Sequence, residues 1–434
     1  MIDIKLSQNK KYIWFVAAAA LGMFFDIFKC LNKNVHTETL VAYYWVAVFT
    51  ILLVQIAASN KAVSFKNRLL LLAGFAIRWV ILFVNEFVVD IWNGFSNSGA
   101  DNETYFQVSI ERYYMRPVSG EYAELAYTKF LEKAYYLLGA NELSVIFLNV
   151  MAFTLMSWLI LLFSKRLGQA IDYRLFALLQ LMPVTIWLNT RLLRESVMTL
   201  FIVVSLILFY FFYTQERGPV YFIGAILMAF FAFCFHSGCI FFLVFFVVFA
   251  VLYYGRKLGA KFYAFALVVI GAGIFVCLHN QVIMGYLTTY FTVDRLYKGL
   301  GLTDKVQETM ANSSYLYDFP VNNIFQLVAY VALKCIYFWL SPMAWDIKGV
   351  AYAGIMVFDA LPCLLLWILC LKEKKYKPFW CILLIETLAY AVGTSAAGTA
   401  MRHRNIFVPM LVVMYIVGRK DNETRLPGSG SSSI

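Results

Sequence analysis

The feature that most restricts this chain is a succession of apolar segments, each of roughly 16–23 residues, the length that crosses a hydrocarbon core of about 30 Å as a helix. They fall near 12–32, 40–58, 69–90, 143–164, 174–189, 196–213, 219–236, 239–255, 262–279, 323–342, 349–371, 378–395 and 404–418. In lipid every backbone polar group has to be satisfied within the segment, so such a series folds as helices. Composition agrees: 62% of the 434 residues are hydrophobic, only 14% are charged, and the mean hydropathy is +0.73. The reading is an all-α polytopic integral membrane protein of about twelve transmembrane helices, formed as one helical domain over 1–420, with 421–434 a disordered tail.

Lys and Arg resist translocation in short loops and therefore orient the spans. Lys61, Lys66 and Arg68; Lys165, Arg166 and Arg174; Arg217; Arg256, Lys257 and Lys261; Lys372 to Lys377; and Arg419 with Lys420 form one set, taken as cytoplasmic. Two long loops, 91–142 and 280–322, then lie outside. The alternation holds only if 323–348 lies along the outer interface or re-enters, which its Trp, Tyr and Pro content suits. The net charge of +11 is scattered between apolar segments, so nucleic acid is excluded as a partner. The eight cysteines, most of them in apolar stretches, show no CxxC and read as small core residues. No metal or other cofactor is expected; Asp101 and Glu103 are at most a weak cation pair.

Charge inside apolar sequence carries the functional signal. Asn189-Thr-Arg-Leu-Leu-Arg-Glu-Ser196 puts Arg191, Arg194 and Glu195 between two hydrophobic segments, where a charge costs about 2.5–3.5 kcal/mol at mid-bilayer and so belongs at an edge or in a wet cavity. On a helix the two arginines would share one face. The topology collects further polar residues on the same outer side: His236 in Phe233-Cys-Phe-His-Ser-Gly238; Arg402, His403 and Arg404 before the last span; and Asp101, Tyr105, Arg112 and Arg116 in the first outer loop. External arginines run against the positive-inside bias, and guanidinium groups grip phosphate oxygens bidentately at any relevant pH. Glu195 or His236 is of the right type to take a proton from an attacking hydroxyl.

Each has a structural alternative. Arg-x-x-Arg-Glu at a helix end is also a headgroup anchor, His236 an interface residue, Asp101–Tyr105 a helix cap, Arg112 with Arg116 a solvated face, and Arg78 with Glu86 and Asp90 an ion-paired group inside the bundle. Tyr113, Tyr114, Tyr122, Tyr127, Tyr135 and Tyr136 in the outer loop suit sugar rings, and suit an interfacial belt as well.

Arg-Glu-Ser at the head of a span, Phe-His-Ser-Gly two spans later and Arg-His-Arg before the final helix resemble the bacterial O-antigen and exopolysaccharide repeat-unit polymerases, the Wzy and EpsG-like group. Asp-x-x-x-Tyr at Asp101–Tyr105 and Leu181-Met-Pro-Val-Thr-Ile-Trp187 also resemble membrane glycosyltransferases of the GT-C fold. The resemblance implies a bacterial inner-membrane enzyme with its active site facing the periplasm or exterior, an undecaprenyl-pyrophosphate-linked oligosaccharide as donor, a lipid-linked glycan as acceptor, and a chain-length regulator protein as an associated partner. By that analogy Arg191, Arg194, Arg402 and Arg404 hold the pyrophosphate, His403, Arg112, Arg116 and Tyr105 contact the substrate, and Glu195, His236 or Asp101 acts as the catalytic base. The first large outer loop follows the third apolar segment instead of the first, a departure from the GT-C pattern that bears on Asp101. An O-antigen ligase, a transferase using a polyprenyl-monophosphate sugar, and a flippase for lipid-linked oligosaccharide are the other readings; inverted repeats and broken spans would mark the last.

Overall fold

The computed structural model describes residues 13–31, 35–59, 63–87, 99–214, 218–261, 323–347, 349–372 and 376–423, with a few single positions between 263 and 321. Among the described residues the chain is helical and has no strand. Six helices among the described residues are long and apolar enough to cross a membrane: His36–Ser59, Phe65–Asn85, Glu142–Arg166, Glu195–Tyr213, Ser237–Leu258 and Tyr352–Leu371. Val16–Ile27, Pro219–Phe235 and Ile324–Leu340 are shorter apolar helices. The expected span 262–279 and the outer loop 280–322 fall almost wholly outside the described residues, as do the tail and Asp90.

Outward apolar surface fits a lipid solvent. On the helix Pro219–Phe235, Val220, Ile223, Leu227 and Phe230 recur every three or four residues and are 75%, 63%, 46% and 46% exposed. A soluble protein rarely leaves so continuous an apolar stripe in water.

The chain divides into two compact units, Met1–Leu200 and Phe201–Ile434. The first contains α1 (Ile13–Leu31), α2 (Val35–Ser59), α3 (Phe65–Phe87), α4 (Gly99–Tyr113), α5 (Ala126–Leu138), α6 (Glu142–Arg166), α7 (Tyr173–Leu181), α8 (Pro183–Asn189) and the start of α9 (Glu195–Tyr213). Leu53, Phe75, Leu82, Phe147 and Val150 join α2, α3 and α6 in one core. Asn141 caps α6 by accepting the Leu143 N–H at 2.8 Å, and Lys165 and Arg166 sit at its last turn, where cations complement the helix dipole. Residues 99–138, within the expected first outer loop, form an α4–α5 hairpin. It is tied to α2 by Glu38, which is buried and accepts from Tyr113 Oη and the Ala140 N–H, both at 2.7 Å.

The single span expected over 174–189 is broken. Pro183 has no N–H to continue α7, and it drives the preceding Met182 to an extended φ, ψ of −60°, 118°. Helix resumes with Pro183 as its first residue, the position that loses nothing by lacking a donor. Arg78 on α3 braces the break: its Nη1 donates to the carbonyls of Gly74 at 2.9 Å and Gln180 at 2.8 Å, and its guanidinium lies 4.1 Å from the Phe153 ring centroid. The side chain of Glu86 and the residue Asp90, the acids expected to pair with Arg78, lie outside the described residues.

The second unit contains the rest of α9, α10 (Pro219–Phe235), α11 (Ile240–Leu258), α12 (Ile324–Leu340), α13 (Val350–Ile355), a π-helical turn (Met356–Ala360), α14 (Leu361–Leu371), α15 (Lys377–Val392) and α16 (Ala397–Glu423). Phe209 anchors its aromatic core, with ring centroids 4.9 Å from Phe249, 5.3 Å from Phe246 and 5.6 Å from Phe379. α12 buries Tyr330, Lys334, Phe338 and Trp339 against α14, α15 and α16. Pro362 cannot give an N–H to the Phe358 carbonyl, and the π turn, closed by the Leu361 N–H on the Met356 carbonyl, turns Asp359 into the core. Cys239, Cys363 and Cys370 are buried thiols, as small core residues are.

Candidate functional site

In the first unit, α8 ends at Asn189 and α9 begins at Glu195, so Arg191 and Arg194 lie on a loop and do not share a helix face. This corrects the helical reading: Thr190 caps α8, its hydroxyl donating to the Ile186 and Trp187 carbonyls at 3.0 and 3.1 Å, which ends that helix before the arginines.

The loop is fixed from three sides. Asn149 of α6 donates to the carbonyls of Arg191 and Leu193 at 2.7 and 2.8 Å. Asn102 of α4 accepts the Leu192 N–H and donates to Glu142 Oε1 at 3.2 Å. Ser196 of α9 donates to Asn189 Oδ1 at 2.6 Å. Leu192 and Leu193 are wholly buried, which turns the loop's apolar side inward and leaves Arg191 and Arg194 half-buried at its surface. Glu195 is only 2% exposed, at the positive end of α9, where a carboxylate is favoured.

The hairpin meets this loop through Asn102, one residue from Asp101. Asp101 accepts from Tyr122 Oη at 2.6 Å, and the Tyr105 ring stands 5.3 Å from Tyr122 and 5.1 Å from Tyr127. Burial raises the Tyr127 phenol well above its ordinary pKa, and the neighbouring Tyr105 and Glu195 raise it further. The structure therefore brings Asp101, Tyr105 and Glu195 into one neighbourhood with the two arginines.

Arg112 and Arg116 are placed differently. Arg112 pairs with Glu132 at 3.0 Å and donates to the Ala123 carbonyl at 3.0 Å, which braces the hairpin, and Arg116 pairs with Glu111 at 3.0 Å on the exposed side. Tyr113, Tyr127 and Tyr135 are wholly buried in the hairpin core, whereas Tyr114, Tyr122 and Tyr136 are half-buried and keep an accessible face.

In the second unit, His236 at the end of α10 and His403 on α16 come together, with ring centroids 5.6 Å apart. Tyr390 of α15 joins them: its ring stacks on His236 at 5.1 Å, lies 5.0 Å from His403, and its hydroxyl is 3.3 Å from His236 Nδ1. His403 Nδ1 is 3.0 Å from Thr394 Oγ1. Arg402 is half-buried beside them in sequence. Arg404 is completely buried and committed to Asp359: Nε donates to Asp359 Oδ2 at 2.7 Å, Nη2 reaches the same oxygen, and Nη1 donates to the Phe338 carbonyl at 3.0 Å. Its charge is neutralised in place, so it can position α16 but has little left for an anion.

Sequence reasoning missed Asn102, Asn149, Asp359, Tyr390 and Glu386. Asp359 and Glu386 are single acids inside apolar runs, and that isolation was the available signal. Among the described residues no three His, Cys, Asp or Glu side chains are grouped to hold a metal ion. No family model, curated protein or solved structure matches the chain.

Proposed function

We propose that this protein joins lipid-linked oligosaccharide repeat units into a surface polysaccharide, at the outer face of the bacterial inner membrane, through a bundle of about twelve crossings with 91–142 and 280–322 outside. The observation that carries the reading is the fixed loop Thr190–Arg194, which holds two half-buried arginines beside the buried Glu195 and against the tyrosine-bearing hairpin. Preorganised cations at the point where phosphate charge develops are the largest single contribution in many group transfers.

In this reading Arg191 and Arg194 grip the pyrophosphate of undecaprenyl-pyrophosphate glycan. Glu195 takes the proton of the acceptor hydroxyl as its oxygen bonds to the anomeric carbon. The bond from that carbon to the phosphate oxygen breaks, and undecaprenyl pyrophosphate leaves with the electron pair. Asp101, held by Tyr122, lines the glycan side, while Tyr105, only 2% exposed, packs behind it against Tyr122 and Tyr127. His236, the alternative base, is half-buried in the second unit with Arg402 and His403. Arg404, Arg112 and Arg116 are assigned to structure, because each already has a carboxylate.

A flippase for the same lipid is favoured by two observations: the helix break at Met182–Pro183 and the acids buried in the second unit's helices, both features of transport proteins. Purified protein in liposomes with undecaprenyl-pyrophosphate oligosaccharide separates the readings. Release of undecaprenyl pyrophosphate supports transfer; donor crossing the bilayer unchanged supports transport. Consumption of a polyprenyl-monophosphate sugar instead points to the single-sugar transferase, and transfer to a finished lipid core to the ligase.

A further inference from the structure

Lys334 of α12 is completely buried, and its Nζ is held between two neutral oxygens. It donates to the carbonyl of Val392, the last residue of α15, at 3.0 Å, and lies 3.0 Å from Ser395 Oγ in the turn that joins α15 to α16. Tyr315 fixes that turn through its backbone: the Tyr315 N–H donates to the Ser395 carbonyl at 3.0 Å and the Tyr315 hydroxyl to the Thr394 carbonyl at 2.9 Å. Ser395 is thereby placed with its hydroxyl against the amine, and it stays half-buried, with Gly393 and Gly398 exposed on either side of it in sequence.

A lysine beside a helix end caps its carbonyls, and the Val392 contact does that. The Ser395 contact is more than a cap needs. Buried lysine is the form of the residue that serves as a general base, and a serine hydroxyl within about 2.6–3.2 Å of a base is the arrangement of an activated nucleophile. An amine anchored by donating to one carbonyl keeps its lone pair for the hydroxyl hydrogen. α16 starts at Ala397, and the N–H groups of Ala397, Gly398 and Thr399 come before the ladder bond from the Ala400 N–H to the Ala396 carbonyl at 2.9 Å. A Cβ on Gly398 would meet nothing within 4 Å, so there is open space beside these donors.

We propose that Ser395 and Lys334 form an acyl-transfer site for carboxylic esters. Ser395 Oγ attacks the ester carbonyl and passes its proton to the neutral Lys334 amine, while the first-turn N–H groups of α16 receive the oxyanion. The bond from the carbonyl carbon to the alcohol oxygen breaks, and the leaving alkoxide takes the proton from the Lys334 ammonium. Water then attacks the acyl-serine and gives its proton to Lys334; the carboxylic acid leaves and the proton returns to Ser395 Oγ. The site lies within the second unit and does not rest on the glycan-transfer reading.

The test treats full-length protein in nanodiscs with a fluorophosphonate, maps the adduct by mass spectrometry, and follows turnover of p-nitrophenyl acetate and p-nitrophenyl decanoate. The phosphonyl group should map to Ser395, and ester turnover should fall to background in a folded Ser395→Ala. Lys334→Arg keeps a cation beside the α15 terminus but cannot take up a proton, and should slow labelling of Ser395 by about 10²-fold or more; should arginine not fit, the Ser395 adduct and Ser395→Ala still decide. Faster turnover of the acetate assigns short acyl groups, such as those of acetylated sugars, and faster turnover of the decanoate assigns lipid esters. No adduct on Ser395 in folded protein, undiminished turnover by Ser395→Ala, or undiminished labelling of a folded Lys334→Arg would overturn the proposal. None of these results bears on glycan transfer, which is read by release of undecaprenyl pyrophosphate.

Discussion

Asn149 donates its side-chain amide to the Arg191 carbonyl at 2.7 Å and, with the same nitrogen, to the Leu193 carbonyl at 2.8 Å. One buried residue of α6 thereby sets the path of the loop that carries both arginines. Replacing Asn149 by Leu removes the donor and leaves two carbonyls unsatisfied, each worth about 1–3 kcal/mol when buried. The expected outcome is a lower Tm by thermal unfolding in detergent, with donor turnover reduced more than stability alone explains, because the arginines lose their fixed position.

Arg191 and Arg194 should differ from lysine in the way a bidentate site demands. A guanidinium presents a fork of donors that an ammonium lacks. Arg194→Lys should keep the fold and raise KM for the pyrophosphate-linked donor, while Arg194→Ala should cut turnover by about 10²-fold or more, the scale of losing one preorganised donor. Steady-state kinetics against donor concentration separates the two effects.

The Asp359–Arg404 pair is completely buried. Removing one partner strands the other, at a cost of about 3–5 kcal/mol, whereas replacing both with apolar residues is often near neutral. Asp359→Leu and Arg404→Met should each lower the unfolding temperature strongly, and the double variant should recover most of the loss. An additive double variant would show that the two side chains act separately.

Gly139 closes the α4–α5 hairpin onto α6 with φ of +83°, and a Cβ there would overlap the Glu38 carbonyl oxygen. Gly139→Ala adds backbone strain of about 1–3 kcal/mol to that overlap. Hydrogen exchange should rise in 126–141 while α9 keeps its protection.

Acid should loosen the same hairpin. Burial raises the Glu132 carboxyl, but hydrogen bonds and charges from Lys133 and Arg112 outweigh it, and the net pKa lies below the ordinary value. A group depressed in the folded state contributes stability above its unfolded pKa of about 4.3 and loses it as pH falls through the lower folded value. Hydrogen exchange in α5 should therefore be flat at neutral pH and increase below about pH 4, and Arg112→Ala should raise exchange at neutral pH and shrink the acid-dependent increase.

Helix content was legible because length and apolarity decide it in a membrane chain. The break in α7–α8 was written as Met182-Pro183, yet the surrounding apolar run reads as one span when only hydropathy is considered. The loop Thr190–Arg194 was invisible for a related reason: spacings of three and four look helical until the Thr190 cap and the Asn149 clamp are seen. Arg191, Arg194 and Glu195 stood out as charges in apolar sequence and are indeed grouped with Asp101 and Tyr105. Arg404 stood out equally, but its partner Asp359 is 45 residues away in sequence, and no local pattern pairs them.

The central claim is that the Thr190–Arg194 loop and Glu195 perform glycan transfer. The most direct measurement is the product ladder formed by purified full-length protein in liposomes from undecaprenyl-pyrophosphate oligosaccharide, compared with Glu195→Gln, which preserves shape and removes the base. The account predicts a ladder of repeat units from the wild type and none from a folded Glu195→Gln. A full ladder from that variant, or no ladder from an active wild-type preparation that moves the donor across the bilayer, would contradict it.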